Sequence, residues 1–151
     1  MQLRARLLNA WRHTSYVVDT VEVSIGRRSL AMDALLTAHG VRAGVFVTAW
    51  NPMSRRMPVR WNRRMQQRMK DRLRRCPALP AEGSWRLWRE EHFLVLVDPR
   101  HARRLAQQFR QAAVVVVRRG QPAALITSFP VFSPLNSIPN ASGAFSRPST
   151  I

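Results

Sequence analysis

Asn51, Ser54 and Arg55 follow directly on an almost unbroken apolar run, Ala43 to Ala49 (AGVFVTA), and Asn62 lies about one turn into the helical segment that comes next. An amide, a hydroxyl and a guanidinium can together hold a small polar or anionic ligand, each offering hydrogen-bond donors of fixed geometry. In an open parallel sheet, ligands bind beyond the carboxyl ends of the strands, where helix N-termini point. Asn51, Ser54, Arg55 and Asn62 are therefore the candidate ligand-binding residues. The same residues also fit a plainer role, with Asn51-Pro52 as a turn. Asp98-Pro99 after the next apolar run likewise reads as a helix cap followed by a proline at the first helical position.

Arginine is the second source of chemistry. The chain holds 25 basic against 8 acidic residues, a net charge of +17, and Lys70 is its only lysine. Ten basic residues lie between Arg55 and Arg75 against one acid, Asp71. On a helix from Pro58 to Arg75, residues Arg60, Arg63, Arg64, Arg68, Arg72 and Arg75 form an exposed face suited to phosphates, which makes non-specific nucleic acid the alternative partner. No helix-turn-helix, RRM or KH signature accompanies it, so such binding should be insensitive to sequence and sensitive to salt. Near-exclusive use of arginine is also what a GC-rich genome writes, which leaves coding bias as a rival origin of the charge.

Enzyme signatures are absent: there is no G-x-G-x-x-G, no G-x-x-x-x-G-K-[ST] and no H-E-x-x-H. His13, His39, His92 and His101 show no metal-ligand spacing with Cys76, and neither a metal nor a cofactor is expected. An enzyme of unrecognised type stays as a third reading, without an identifiable general base. A lone cysteine and the lack of any long apolar run point to a cytoplasmic protein without a membrane span. The basic start Met1 to Leu8 lacks the apolar stretch and cleavage site of a secretory signal. The sequence does not give an oligomeric state.

The elements that must position these residues follow from periodicity. Tyr16 to Ile25 alternates as a half-buried strand, and Ser29 caps a helix that runs to His39 before Gly40. Ala43–Ala49, Phe93–Val97 and Ala112–Val117 read as buried strands. A further helix follows Asp98, Pro77 to Arg89 reads as a loop, and a hairpin at Arg119-Gly120 leads into Ala123–Thr127. The order β-α-β-α-β-α-β-β predicts an α/β fold, a small mostly parallel sheet with helices packed on it. A ferredoxin-like two-layer α+β sandwich is the alternative. One domain is expected over residues 8–127. Residues 128–151 hold six serines, four prolines and one charge, Arg147, and are expected to form a disordered tail without part in the activity.

Several segments occur in a familiar order: Ala10 to Tyr16 (AWRHTSY), Ile25-Gly26, Thr48-Ala49-Trp50-Asn51-Pro52 with Ser54, then Asn62, Trp88-Arg89-Glu90 and Phe109-Arg110-Gln111-Ala112-Ala113. In these the chain resembles a family of small bacterial proteins, domain of unknown function 3293, over roughly Leu8 to Ile126. His92 departs from the pattern, where a small polar residue is expected, and the second helix is richer in arginine. The resemblance implies a bacterial, cytosolic, single-domain protein and brings no catalytic residue with it. Its motif residues Thr48, Pro52, Trp88, Glu90, Phe109 and Gln111 are expected to be structural. In a parallel sheet, Trp88, Glu90 and Gln111 would gather at the end opposite Asn51. If one strand runs antiparallel, all the motifs meet.

Overall fold

A computed structural model describes residues 2–129. Helix α1 spans Gln2–His13. It is followed by β1 (Ser15–Val18), β2 (Val21–Ser24), α2 (Leu30–Ala38), β3 (Ala43–Val47), α3 (Val59–Arg72), β4 (Ala78–Trp85), β5 (Trp88–Val95), α4 (Pro99–Gln108), β6 (Ala113–Arg118) and β7 (Ala124–Thr127). Local chemistry sets the helix starts. The Ser29 hydroxyl accepts from the Met32 amide at 3.1 Å, and the Asp98 carboxylate accepts from the Arg100 amide at 2.9 Å, each satisfying a donor that the first helical turn leaves free. Gly40 closes α2 in the left-handed region at φ 68°, which costs glycine no Cβ clash.

All seven strands form one sheet in the order β2-β1-β4-β5-β3-β6-β7. Every neighbouring pair is antiparallel. The sheet curls into a half-barrel whose edges touch just beyond β2. There Ile25 bridges Ala123, and the Gly26 amide donates to the Ala123 carbonyl at 2.7 Å.

This overturns the expected mostly parallel sheet, and the reason lies in two hairpins. Tyr16–Ile25 is two strands, not one, reversing at Asp19-Thr20, where Asp19 takes φ 51°. The expected loop Pro77–Arg89 is mostly β4, which pairs with β5 along its whole length around a turn at Arg86-Leu87. Alternating directions along the observed order show that β2 and β3, β3 and β4, and β5 and β6 are each parallel pairs. Every crossover helix thus joins parallel strands, as alternating strands and helices require. Antiparallel strands lie between the members of each pair. The result is α+β, the class of the alternative expectation. It is not a two-layer sandwich, because helices cover both faces of the sheet. Pro80 and Gly83 make β4 a poor strand by composition. Pro80 is tolerated because β1 pairs only with Ala81–Ser84 and leaves that flank of β4 open.

Alternation in β3 divides the core. Phe46 faces the concave side, where Met32 and Leu36 of α2 pack with Val18, Val23, Leu94, Leu96, Val115, Val117 and Ala123. Val45 and Val47 face the convex side, against Met69 of α3, Leu73 at its C-cap, and Ala102, Ala106 and Phe109 around α4. Helix α2 therefore plugs one end of the half-barrel and leaves the other end open. At the C-terminal boundary, Ser128 is buried. Its amide donates to the Ala112 carbonyl at 2.9 Å. The tail expected over 128–151 otherwise lies outside the described residues. Among those described, no helix is long and apolar enough to cross a membrane.

Leu36 is fully buried in the plug. Leu36→Ala should lower unfolding free energy by about 2–5 kcal/mol, as for other large-to-small changes in tight cores. Urea denaturation with an unchanged m-value would show this.

Candidate functional site

The open end of the half-barrel holds a cavity of about 710 Å³. Four of the five tryptophans line it: Trp11 from α1, Trp50 after β3, and Trp85 and Trp88 flanking the β4–β5 turn. Tyr16 and Phe46 add two more rings, 5.4 Å apart between centroids. Thr48, Asn51, Glu90, His92 and Gln111 supply the polar wall, with Arg56 and Arg86 also lining it. Each arginine lies over an indole: Arg56 is 5.9 Å from the Trp88 ring centroid and Arg86 is 4.8 Å from that of Trp85. Cation–π attraction holds such guanidinium groups without a carboxylate.

The polar wall is fixed by a network centred on Asn51. Its Oδ1 accepts from the Met57 amide at 2.8 Å and from Asn62 Nδ2 at 3.0 Å. Its Nδ2 donates to Glu90 Oε1 at 2.7 Å, and its backbone amide donates to Asn62 Oδ1 at 2.9 Å. Trp88 Nε1 donates to the same Glu90 oxygen at 2.9 Å. Thr48 Oγ1 donates to the Glu91 carbonyl at 2.6 Å and accepts from the Trp50 amide at 3.1 Å. Gln111 Nε2 donates to the Trp50 carbonyl at 3.0 Å, and Gln66 Oε1 accepts from the Ala49 amide at 2.9 Å. The segment held this way is strained. Asn51, Met53 and Ser54 have φ of 47°, 52° and 60°, a region that L residues seldom enter.

His92 lies over Gly83, where a Cβ would come within 2.8 Å of its Cε1. Its ring meets that of Tyr16 edge-on, with centroids 5.5 Å apart. Burial holds its pKa below the usual histidine value, against the opposing pull of Glu90, its carbonyl and Glu82. The ring is therefore neutral near pH 7. With Nδ1 3.1 Å from the Glu90 carbonyl oxygen, Nδ1 carries the proton and donates, and Nε2 keeps its lone pair. Burial, reinforced by the negative charge of Glu90, pushes the Tyr16 hydroxyl far above the ordinary phenol range, so it stays protonated.

Of the four candidate ligand residues, Asn51 and Ser54 line the cavity. Arg55 is exposed outside it, and Asn62 is buried behind Asn51 as its hydrogen-bond partner. Among the motif residues, Thr48, Trp88, Glu90 and Gln111 come to the same cavity as Asn51. This is the antiparallel outcome, and the placement at opposite ends of a parallel sheet is corrected with the fold. Pro52 opens a tight turn in which the Arg55 amide donates to its carbonyl at 3.0 Å, and Phe109 packs in the convex core. Arg60, Arg63, Arg64, Arg68, Arg72 and Arg75 are all exposed, on or just beyond α3. Sequence reasoning did not assign Trp85, Arg86, Arg56 or His92 to a site. Trp85 and Arg86 belong to the segment read as a loop; an alternating β4 would have set Trp85 beside Gly83 on one face.

The family model described as Protein of unknown function (DUF3293) matches residues 47–114, so the resemblance read from the motifs holds over that stretch. The matched stretch runs from the end of β3 into β6 and contains the whole Asn51 network. No curated protein and no solved structure matches the chain significantly.

Two outcomes check this geometry. Asn62→Ala leaves the Asn51 amide and part of its side chain unpaired and should cost about 1–3 kcal/mol of stability in chemical denaturation. For His92, a folded pKa below the unfolded value of about 6.5 means that the unfolded chain binds more protons, so stability is retained above pH ~6.5 and falls as pH drops below it. Melting curves should show Tm declining from pH 7.5 to pH 5.5, with a shallower decline in His92→Gln.

Proposed function

We propose that the domain binds a small polar or anionic ligand in the cavity at the Asn51–Ser54 end of the sheet. The observation that carries this reading is the aromatic cavity itself. Its volume of about 710 Å³ lies in the usual range for small-molecule sites, and its lining combines rings with a few fixed polar groups. Such rings favour a flat ligand body. Arg56 and Arg86 can meet an acidic group on it, since neither belongs to an ion pair among the described residues. The strained Asn51–Ser54 backbone supports the same reading, because strain that a hydrogen-bond network must maintain is common at ligand sites.

The exposed arginine face of α3 favours a second reading, non-specific nucleic-acid contact. It stands on the convex side, separate from the cavity. Filter binding to a duplex should then weaken steeply as salt rises, and a flat salt dependence excludes it.

The cavity reading is tested with 8-anilino-1-naphthalenesulfonate, a flat aromatic anion. The folded protein should bind it saturably, one per chain, with enhanced fluorescence. Ala113→Trp, which directs an indole from β6 into the cavity, should weaken binding by about tenfold or more while the protein still melts cooperatively. Equal affinity in the variant would contradict the proposal.

A further inference from the structure

We infer that Glu90 forms a subsite for a planar cationic N–H group, of the amidinium or protonated amino-heterocycle class, in the cavity wall. The inference rests on the cavity reading above and adds the chemistry of one group on the ligand. One carboxylate oxygen, Oε1, is already committed to Asn51 Nδ2 at 2.7 Å and Trp88 Nε1 at 2.9 Å. Those two donors fix the plane and direction of the carboxylate, and among the described residues no donor meets Oε2.

The Glu90 carboxylate has no ion-pair partner among the described residues, in a chain that holds 25 basic residues. Two titratable groups that share the cavity wall with it carry no positive charge. Tyr16 stays a neutral phenol, and His92 stays a neutral imidazole that donates Nδ1–H to the Glu90 carbonyl rather than to its carboxylate. A half-buried carboxylate among aromatic rings gains most from a cation that also donates hydrogen bonds, because the reduced dielectric strengthens the attraction and ring faces favour positive charge. Planarity suits a cavity lined by the rings of Trp50, Trp88 and Tyr16. With Arg56 and Arg86 also lining the cavity, the preferred ligand is bipolar, with the N–H cation at Glu90 and an acidic group at the arginines. Such a molecule carries little or no net positive charge, so the field of a +17 chain does not repel it.

The test compares 2-naphthamidine with its neutral isostere 2-naphthamide by calorimetric titration of the full chain, with each probe also competed against 8-anilino-1-naphthalenesulfonate. The amidine should bind the wild type about tenfold or more tightly than the amide and displace the dye. In Glu90→Gln, which can keep both hydrogen bonds to Oε1, the two affinities should become nearly equal. Equal affinities in the wild type overturn the inference, as does a preference for the amidine that survives in Glu90→Gln. The wild-type comparison decides the matter even if the variant fails to fold. Dye binding without discrimination between the naphthalenes removes the Glu90 subsite alone; failure of the dye and both naphthalenes to bind removes the cavity reading beneath it.

Discussion

The Asn51 side chain uses both ends of its amide to join the loop after β3 to the start of α3 and to the start of β5. Through Oδ1 it holds the Met57 amide and Asn62 at the start of α3, and through Nδ2 it holds Glu90 at the start of β5. The loop after β3 cannot take its left-handed path through Asn51, Met53 and Ser54 unless something compensates the strain, and these bonds are the compensation. The same bonds set the carboxylate of Glu90 in the cavity wall. Stability of the loop and geometry of the site are thus one arrangement, and a change in either propagates to the other.

That arrangement requires the antiparallel sheet. Residues just past the end of β3 can meet residues at the start of β5 only if the two strands run in opposite directions, as the Val45–Val95 and Val47–Phe93 pairing shows. Curling then does the rest. With α2 filling one end of the concave face, the rings of Tyr16, Phe46 and the four tryptophans are left to line the other. They enclose space there instead of packing it, which is unusual for so much aromatic surface in a domain this small.

Much of the fold was legible locally. The caps at Ser29 and Asp98, the stop at Gly40 and the solid apolar strands β3 and β6 are dictated by side chains within a few residues, and the structure places them within one or two positions of expectation. Sheet direction was not legible, because it turned on β1–β2 and β4–β5, whose turns carry no glycine. Asp19 and Arg86 adopt positive φ without one, so the usual hairpin signals were missing. The site was half legible. Asn51, Ser54 and Glu90 could be singled out by type and motif. Asn62 reads as a ligand residue and Gln66 lies on the same arginine-rich helix, yet both are buried against the loop after β3. A polar residue inside an arginine-rich helix gives no sign of burial until the partner backbone is known.

The indole N–H resonances provide the most direct measurement of the central claim, that the aromatic cavity is where this domain meets its ligand. The protein has five tryptophans, of which Trp11, Trp50, Trp85 and Trp88 line the cavity and Trp61, on α3, does not. Titration of the nitrogen-15 labelled chain with 2-naphthamidine, followed by two-dimensional NMR, should shift the four cavity indoles and leave Trp61 in place. A shift confined to Trp61, or no shift at any of the four, would contradict the account.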